Sequence, residues 1–343
     1  MSLEFSDLSA VPFQPPRQPL PERPSTASWE LVSVGPDGEA FLTLYESGRE
    51  ARLFTDDGEV LPLKLPAGEG FRYPIVQRFS DGAFLTVEPA TSAGEPNASV
   101  FSADGTFSHA FYVGDGIQTV LVDPADRIWV GYIDEGVING LLSKGAQPNW
   151  NGLARFDRQG VIDFAFNETL PETDSRRFID DIYALTVDEN GRAWFCPYQA
   201  FYLARVEDND VTYPLERSPA AGADALLVGP DHVAFFNGYH HPGIVTLVEL
   251  SSQRLRTVQL LGAEGEALSF RRAGVRAQHF VGLDDAHLYR LHLTDLLERL
   301  GPWTAENSST VASALRFQDA AEAHDGGMML ILRDPGEALP EVE

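Results

Sequence analysis

Lysine is almost absent from this chain. Lys64 and Lys144 are the only lysines among 25 basic residues, which face 51 acidic ones for a net charge of −26. A surface so acidic repels phosphate backbones, so a nucleic-acid partner is not expected. One cysteine, Cys196, rules out an internal disulfide. It sits in the apolar run Ala193-Trp194-Phe195-Cys196, which suits an inert buried thiol better than a nucleophile. No apolar run approaches the ~18 residues of a membrane span, so no membrane partner is expected. The first residues lack the basic start and apolar stretch of a secretory signal, and the expected location is cytoplasmic. His-Glu-x-x-His, Gly-x-Ser-x-Gly, a phosphate loop, Gly-x-Gly-x-x-Gly and an EF-hand loop are all missing, so no cofactor is evident. Asn97-Ala98-Ser99 and Asn167-Glu168-Thr169 match a glycosylation acceptor, which means nothing in a cytosolic chain.

What the chain does have is repetition. Apolar residues make up 43%, enough for a sizeable core, and 30 Gly and 23 Pro are spread along the length, which implies many turns and many short elements. One half-pattern is Val34-Gly35-Pro36-Asp37-Gly38-Glu39-Ala40-Phe41-Leu42. It returns as Val122-Asp123-Pro124-Ala125-Asp126-Arg127-Ile128-Trp129-Val130 and as Val187-Asp188-Glu189-Asn190-Gly191-Arg192-Ala193-Trp194-Phe195. Each reads as strand, tight turn, strand, with Pro and Asp/Asn-Gly supplying the turn dihedrals and an aromatic filling a buried position. A second hairpin follows each copy, as in Arg52-Leu53-Phe54-Thr55-Asp56-Asp57-Gly58 and Ala154-Arg155-Phe156-Asp157-Arg158-Gln159-Gly160. Phe54, Phe101, Phe156, Val206, Leu250 and Leu291 mark one copy each, 41 to 55 residues apart.

Two hairpins per ~45 residues is the unit of a four-stranded propeller blade, which must stack on neighbours to cover its faces. The fold expected is therefore all-β: one β-propeller of six four-stranded blades over residues 29–343, with seven as the alternative. The blades begin near Trp29, Tyr73, Gly116, Ile182, Asp224 and Ala267. Residues 1–28, rich in proline, read as an extended arm. A short helix is expected over 294–300, stopping at Gly301-Pro302, and a last strand over 328–332.

The repeat Asp-x-x-Gly-x-Ile/Ala-Trp-Val/Phe, seen at Asp123 to Val130 and Asp188 to Phe195, resembles that of the NHL-repeat, two-component-regulator and streptogramin-lyase-like bacterial propellers. The resemblance spans most of residues 29–292 and implies a fold. It implies no activity, because members of that group bind proteins, hydrolyse lactones or cleave ring peptides. Neither the metal-binding Glu, Asn and Asp contexts of the gluconolactonase-type members nor the His/Glu arrangement of the streptogramin lyases has a match here.

In such a blade the a–b and c–d turns emerge on one face and the b–c and d–a connections on the other. The short Asp-Gly turns all belong to the first face. The long connections 89–97, 133–152, 167–181 and 261–266 all decorate the second, where function is expected. Alignment of the repeats places Tyr45, Tyr198 and Tyr239 together where strand b ends, with His240 and His241 just beyond Tyr239. Tyr132, Asp134 and Glu135 from blade three and Glu88 from blade two join that level, and Arg176 and Arg177 enter from the loop before blade four. A ligand site is expected from Asp134, Glu135, Arg176, Arg177, Tyr198, Tyr239, His240 and His241, suited to a polar organic molecule whose carboxylate the arginines hold. Asp115, Asp180 and Asp181 are candidates for a divalent cation such as calcium at the channel mouth.

The function expected is a non-catalytic module that binds a protein or small polar ligand on the decorated face. Its main support is the insertion 133–152, which carries Ile133, Val137, Ile138, Leu141, Leu142 and Trp150, and replacing 137–149 with a short Gly-Ser link is expected to leave the melting temperature nearly unchanged. The alternative is a hydrolase or lyase at the channel mouth, using His240 or His241 as base and a divalent metal. An apolar patch over 133–152 favours the binder.

Overall fold

The computed structural model describes residues 11–23, 27–46, 52–64, 71–92, 94–143, 147–171, 174–198, 201–238, 243–304 and 307–315. The strands form six radial sheets. Blade two runs Ile75–Arg78, Phe84–Val87, Ala98–Phe101, Phe107–Phe111, and blade three Ile117–Val122, Ile128–Tyr132, Leu153–Phe156, Ile162–Ala165. Blade four runs Ile182–Val187, Ala193–Pro197, Leu203–Glu207, Asp210–Leu215, and blade five Ala225–Val228, His232–Phe236, Ile244–Glu249, Arg254–Leu260. Blade one has Ala27–Val34, Ala40–Glu46 and Arg52–Thr55, its outer position reduced to a single bridge between Phe54 and Val60. Blade six has Arg272–Arg276, His279–Leu283 and His287–His292. Its outer strand is Arg17–Pro19, antiparallel to His287–His292. Each innermost strand touches the next, and Arg272–Arg276 returns to Ala27–Val34, closing a six-bladed β-propeller.

The described part of the N-terminal arm, residues 11–23, is extended, as its prolines dictate, and is also built into the ring. Besides the outer strand of blade six, it lays Val11–Phe13 parallel against the end of Arg254–Leu260. Closure by this arm explains how blade six completes itself. The expected strand at 328–332 lies outside the described residues. The expected helix is present as Leu293–Leu300, ending at Gly301.

The core is divided in the same way as the sheets. Six apolar clusters lie one between each pair of neighbouring blades, including blades six and one. Strand side chains alternate, so one strand feeds two clusters. Ile128, Val130 and Tyr132 face blade two, whereas Trp129 between them faces blade four. Both sides are covered, which is why these strands read as continuous apolar runs.

The repeat motif has a specific job. Asp188 accepts the backbone N–H groups of Asn190 and Arg192 at 2.9 and 3.0 Å, the Arg192 Nε–H at 2.6 Å and the Trp194 indole N–H at 2.9 Å. Asp123 repeats this with Ala125, Arg127 and Trp129. One carboxylate thus folds the turn and satisfies the only polar atom of a buried tryptophan. Arg155 and Arg205 of the third strands lie over Trp129 and Trp194, at 5.1 and 5.4 Å.

Candidate functional site

The two ends of the ring differ. At the end carrying the a–b turns, Arg276 reaches across the axis from blade six and donates to the carbonyl of Val122 in blade three, the opposite blade. The residue is 2% exposed. Burial pulls its pKa down to about 10 against the opposing pull of Asp123, Glu39 and Asp188, so it remains charged at neutral pH. Ala277 N–H donates to Thr186 Oγ1 of blade four at 2.9 Å, and Val122 N–H to Gln77 Oε1 of blade two at 3.2 Å. Cross-blade hydrogen bonds therefore lace this end together.

The opposite face carries the long loops. In blade three the insertion folds into a helix, Asp134–Leu142, and a single turn, Pro148–Asn151. Asp134 and Glu135 occupy the first helical turn, where carboxylates suit the helix dipole. The buried positions of the helix are Gly136, Val137 and Gly140. The outer face carries Ile138, Leu141 and Leu142, exposed by 49, 60 and 76%. This is an amphipathic helix mounted with its aliphatic side out.

Close backbone approach explains the mounting. A Cβ on Gly136 would lie 2.6 Å from the Asp115 carbonyl, and one on Gly140 2.6 Å from the Trp150 nitrogen. Asn149 donates its side-chain amide to the Gly136 carbonyl. Asn167 donates to the carbonyls of Trp150 and Ile179, each at 2.9 Å, and accepts from Ile179 N–H. Trp150 packs on Phe178 with ring centres 5.3 Å apart. The insertion and the loop before blade four form one braced cap. The expectation that the insertion is removable is corrected here, since Val137 belongs to the core between blades two and three and Asn149 is buried.

The expected site residues divide into two groups. Asp134 lies near Asp181, close enough for its charge, with that of Asp180, to act on the Asp181 carboxyl. Burial first, then those two neighbours, push Asp181 up to about 6. Tyr198 donates its backbone N–H to the Asp181 carbonyl at 2.9 Å. Its ring stacks on Tyr183 at 5.2 Å and meets Phe201 edge-on at 5.7 Å. Phe201 has a φ of 44°, a left-handed conformation that an aromatic residue rarely adopts. Tyr183 is the extra residue of a β-bulge, so it is re-aimed from the regular strand pattern.

The others go elsewhere. Arg177 sits over the Tyr213 ring at 3.7 Å and pairs with Glu216 at 3.1 Å and Asp174 at 3.6 Å, at the outer strand of blade four. It is drawn outward by those carboxylates, and Arg176 is exposed in the same turn. Asp115 accepts Thr91 N–H at 2.9 Å and Glu88 accepts the N–H groups of Arg72 and Tyr73, so both brace loops. Tyr132 is buried and donates its hydroxyl to the Val113 carbonyl. Tyr239, His240 and His241 lie outside the described residues. Among the described residues no three His, Cys, Asp or Glu side chains are grouped to hold a metal ion. Cys196 is buried, and desolvation raises its thiol far above the usual range.

Several structural anchors escaped the sequence patterns. Asn97 and Asn167 share one arrangement, each donating to two carbonyls and accepting one N–H between loops. Their acceptor-like tripeptides gave no hint of it. The signal for Tyr183 and Phe201 was an aromatic density around Tyr198 that repeat alignment did not weigh.

No family model matches the sequence, and no curated protein matches it. Solved structures are similar in shape. A streptogramin B lyase is 11% identical, with a TM-score of 0.48 over 80% of this chain and 97% of its own. A gluconolactonase from Xanthomonas campestris is 13% identical, with a TM-score of 0.45 over 82% of this chain and 97% of its own. YCF48 bound to D1 peptide is 13% identical, with a TM-score of 0.42 over 77% of this chain and 78% of its own. These proteins differ in role, and what this chain shares with them is the propeller ring that its own six sheets define.

Proposed function

We propose that this propeller is a non-catalytic binding module that docks a protein partner on its loop-bearing face. The observation that carries the proposal is the helix Asp134–Leu142, with glycine inward and Ile138, Leu141 and Leu142 outward. Folding alone favours the reverse, because each buried aliphatic side chain contributes about 1.5–3 kcal/mol relative to an exposed one. A contiguous exposed apolar surface on a braced element fits a partner interface. Arg177 pairs with Glu216 and Asp174, which in this reading favours a protein partner over a carboxylate-bearing small ligand.

The test compares Leu141→Glu with Val161→Glu, an equally exposed aliphatic on the opposite face. Both variants should melt with the wild type. Proteins retained from cell extract by the wild type and by Val161→Glu should be lost by Leu141→Glu. Retention by both variants alike would refute docking on this helix.

A further inference from the structure

The outward face of the helix is not uniform along its length. At 100° per residue, Asp134, Ile138, Leu141 and Leu142 fall on one stripe, with Glu135 at its edge. The carboxylates occupy the first turn and the aliphatic side chains the last two. From Asp134 to Leu142 the rise is ~12 Å at 1.5 Å per residue. The charge of Asp134 acts on the Asp181 carboxyl of the loop before blade four. Tyr198, bonded through its backbone N–H to the Asp181 carbonyl, packs its ring against those of Tyr183 and Phe201. The cation nearest in sequence, Arg177, pairs with Glu216 and Asp174. The surface is therefore bipolar, anionic with aromatic faces at one end and aliphatic at the other.

We infer that the partner segment is basic and amphipathic, its aliphatic side chains covering Ile138, Leu141 and Leu142 while its Lys or Arg side chains reach the end marked by Asp134, Glu135 and Asp181. The inference rests on the docking surface proposed above and adds the chemistry of what docks. Charge complementarity selects this occupant over the others. An acidic segment meets like charges at one end, and a second copy of this chain brings the same acidic surface and the −26 field. That field steers basic segments in from a distance, while the aliphatic contacts hold them once docked. The aromatic faces add cation–π attraction for a guanidinium or ammonium group.

The test uses the full chain and a random peptide library, selected on the wild type and counter-selected on Leu141→Glu. Peptides that bind the acidic surface elsewhere survive on both proteins and are discarded. The expected pool carries aliphatic residues together with Lys or Arg. Its best member, followed by fluorescence anisotropy, should bind Asp134→Asn/Asp181→Asn at least five-fold more weakly and lose affinity steeply with added salt. A pool rich in aliphatics but without positive charge would overturn this inference and leave helix docking standing. A pool no different from that on Leu141→Glu would overturn both. Self-association of the wild type, abolished by Leu141→Glu, would assign the surface to a second copy and overturn the basic-segment inference.

Discussion

Replacing Arg276 tests whether the ring is held across its axis as well as around its circumference. In Arg276→Ala the Val122 carbonyl loses its donor from blade six at a buried position, which costs about 1–3 kcal/mol. The aliphatic stem is lost as well, adding about 1–2 kcal/mol. Asp123 and Asp188 remain paired with Arg127 and Arg192, so their exposure to one another adds little. These losses reach up to about 5 kcal/mol, and relief of the desolvation that pulls the guanidinium down to about 10 offsets part of them, for a net cost of about 3 kcal/mol. For 343 residues at ~2.1 cal/mol/K per residue, the unfolding entropy is about 0.7 kcal/mol/K, so the melting temperature should fall by about 4 °C. Arg276→Met keeps the stem and should recover about a third of the loss. Calorimetry on the three proteins decides the matter. An alanine variant melting within 1 °C of the wild type would show that the cross-axis bond contributes nothing, and that the six inter-blade clusters alone hold the ring.

Asp181→Asn should stabilise the protein at pH 7.5 and leave it unchanged at pH 4. The carboxyl is held up to about 6 in the fold against an ordinary 3.8, so the penalty for ionising it appears as pH rises from 3.8 and is complete above 6. Taken in full that shift is worth about 3 kcal/mol, and solvent access to a half-buried group reduces it to about 1 kcal/mol. A stabilisation equal at both pH values would refute the electrostatic cause. Asp188→Ala removes one acceptor from four donors, including the buried Trp194 indole, and should cost about 2–4 kcal/mol by urea denaturation. A loss below 1 kcal/mol would show that the repeat aspartate is only a turn former.

The fold was legible because its physics is local and repeated. Asp123 and Asp188 act within six residues of themselves, and the aromatic they serve is part of the same short pattern. The expected starts near Trp29, Gly116, Ile182 and Asp224 fall within two residues of the strands Ala27–Val34, Ile117–Val122, Ile182–Val187 and Ala225–Val228. Ring closure was not legible, because Arg17–Pro19 pairs with a strand some 270 positions away and three residues carry no repeat. The site was half legible. Asp134 and Tyr198 as ligand candidates and Asp181 as a metal candidate were chosen for facing the long-loop side, and the structure links Tyr198 to Asp181 by one backbone hydrogen bond and Asp134 to Asp181 by charge. Arg177 was chosen by the same rule and departs, because the loop before blade four reaches outward over Tyr213. Chain topology says which face a loop leaves from and not how far it travels across it.

The orientation of the inserted helix was beyond sequence patterning for a different reason. The sequence shows an apolar insertion but no helix orientation, and burial as the default source of stability would turn its aliphatic residues toward the ring. Here Gly136 and Gly140 permit contact at backbone distance, Val137 alone enters the core, and Asn149 and Asn167 supply directional bonds that brace the rest. The helix is thus positioned without using Ile138, Leu141 or Leu142, which stay free for another purpose. An exposed aliphatic stripe favours self-association, and a net charge of −26 opposes it by mutual repulsion between copies. The same charge attracts a basic partner. Acidity and the outward apolar helix, unrelated as sequence features, therefore act on one surface, and under the docking proposed above the first would keep the second unoccupied until a segment of opposite charge arrives.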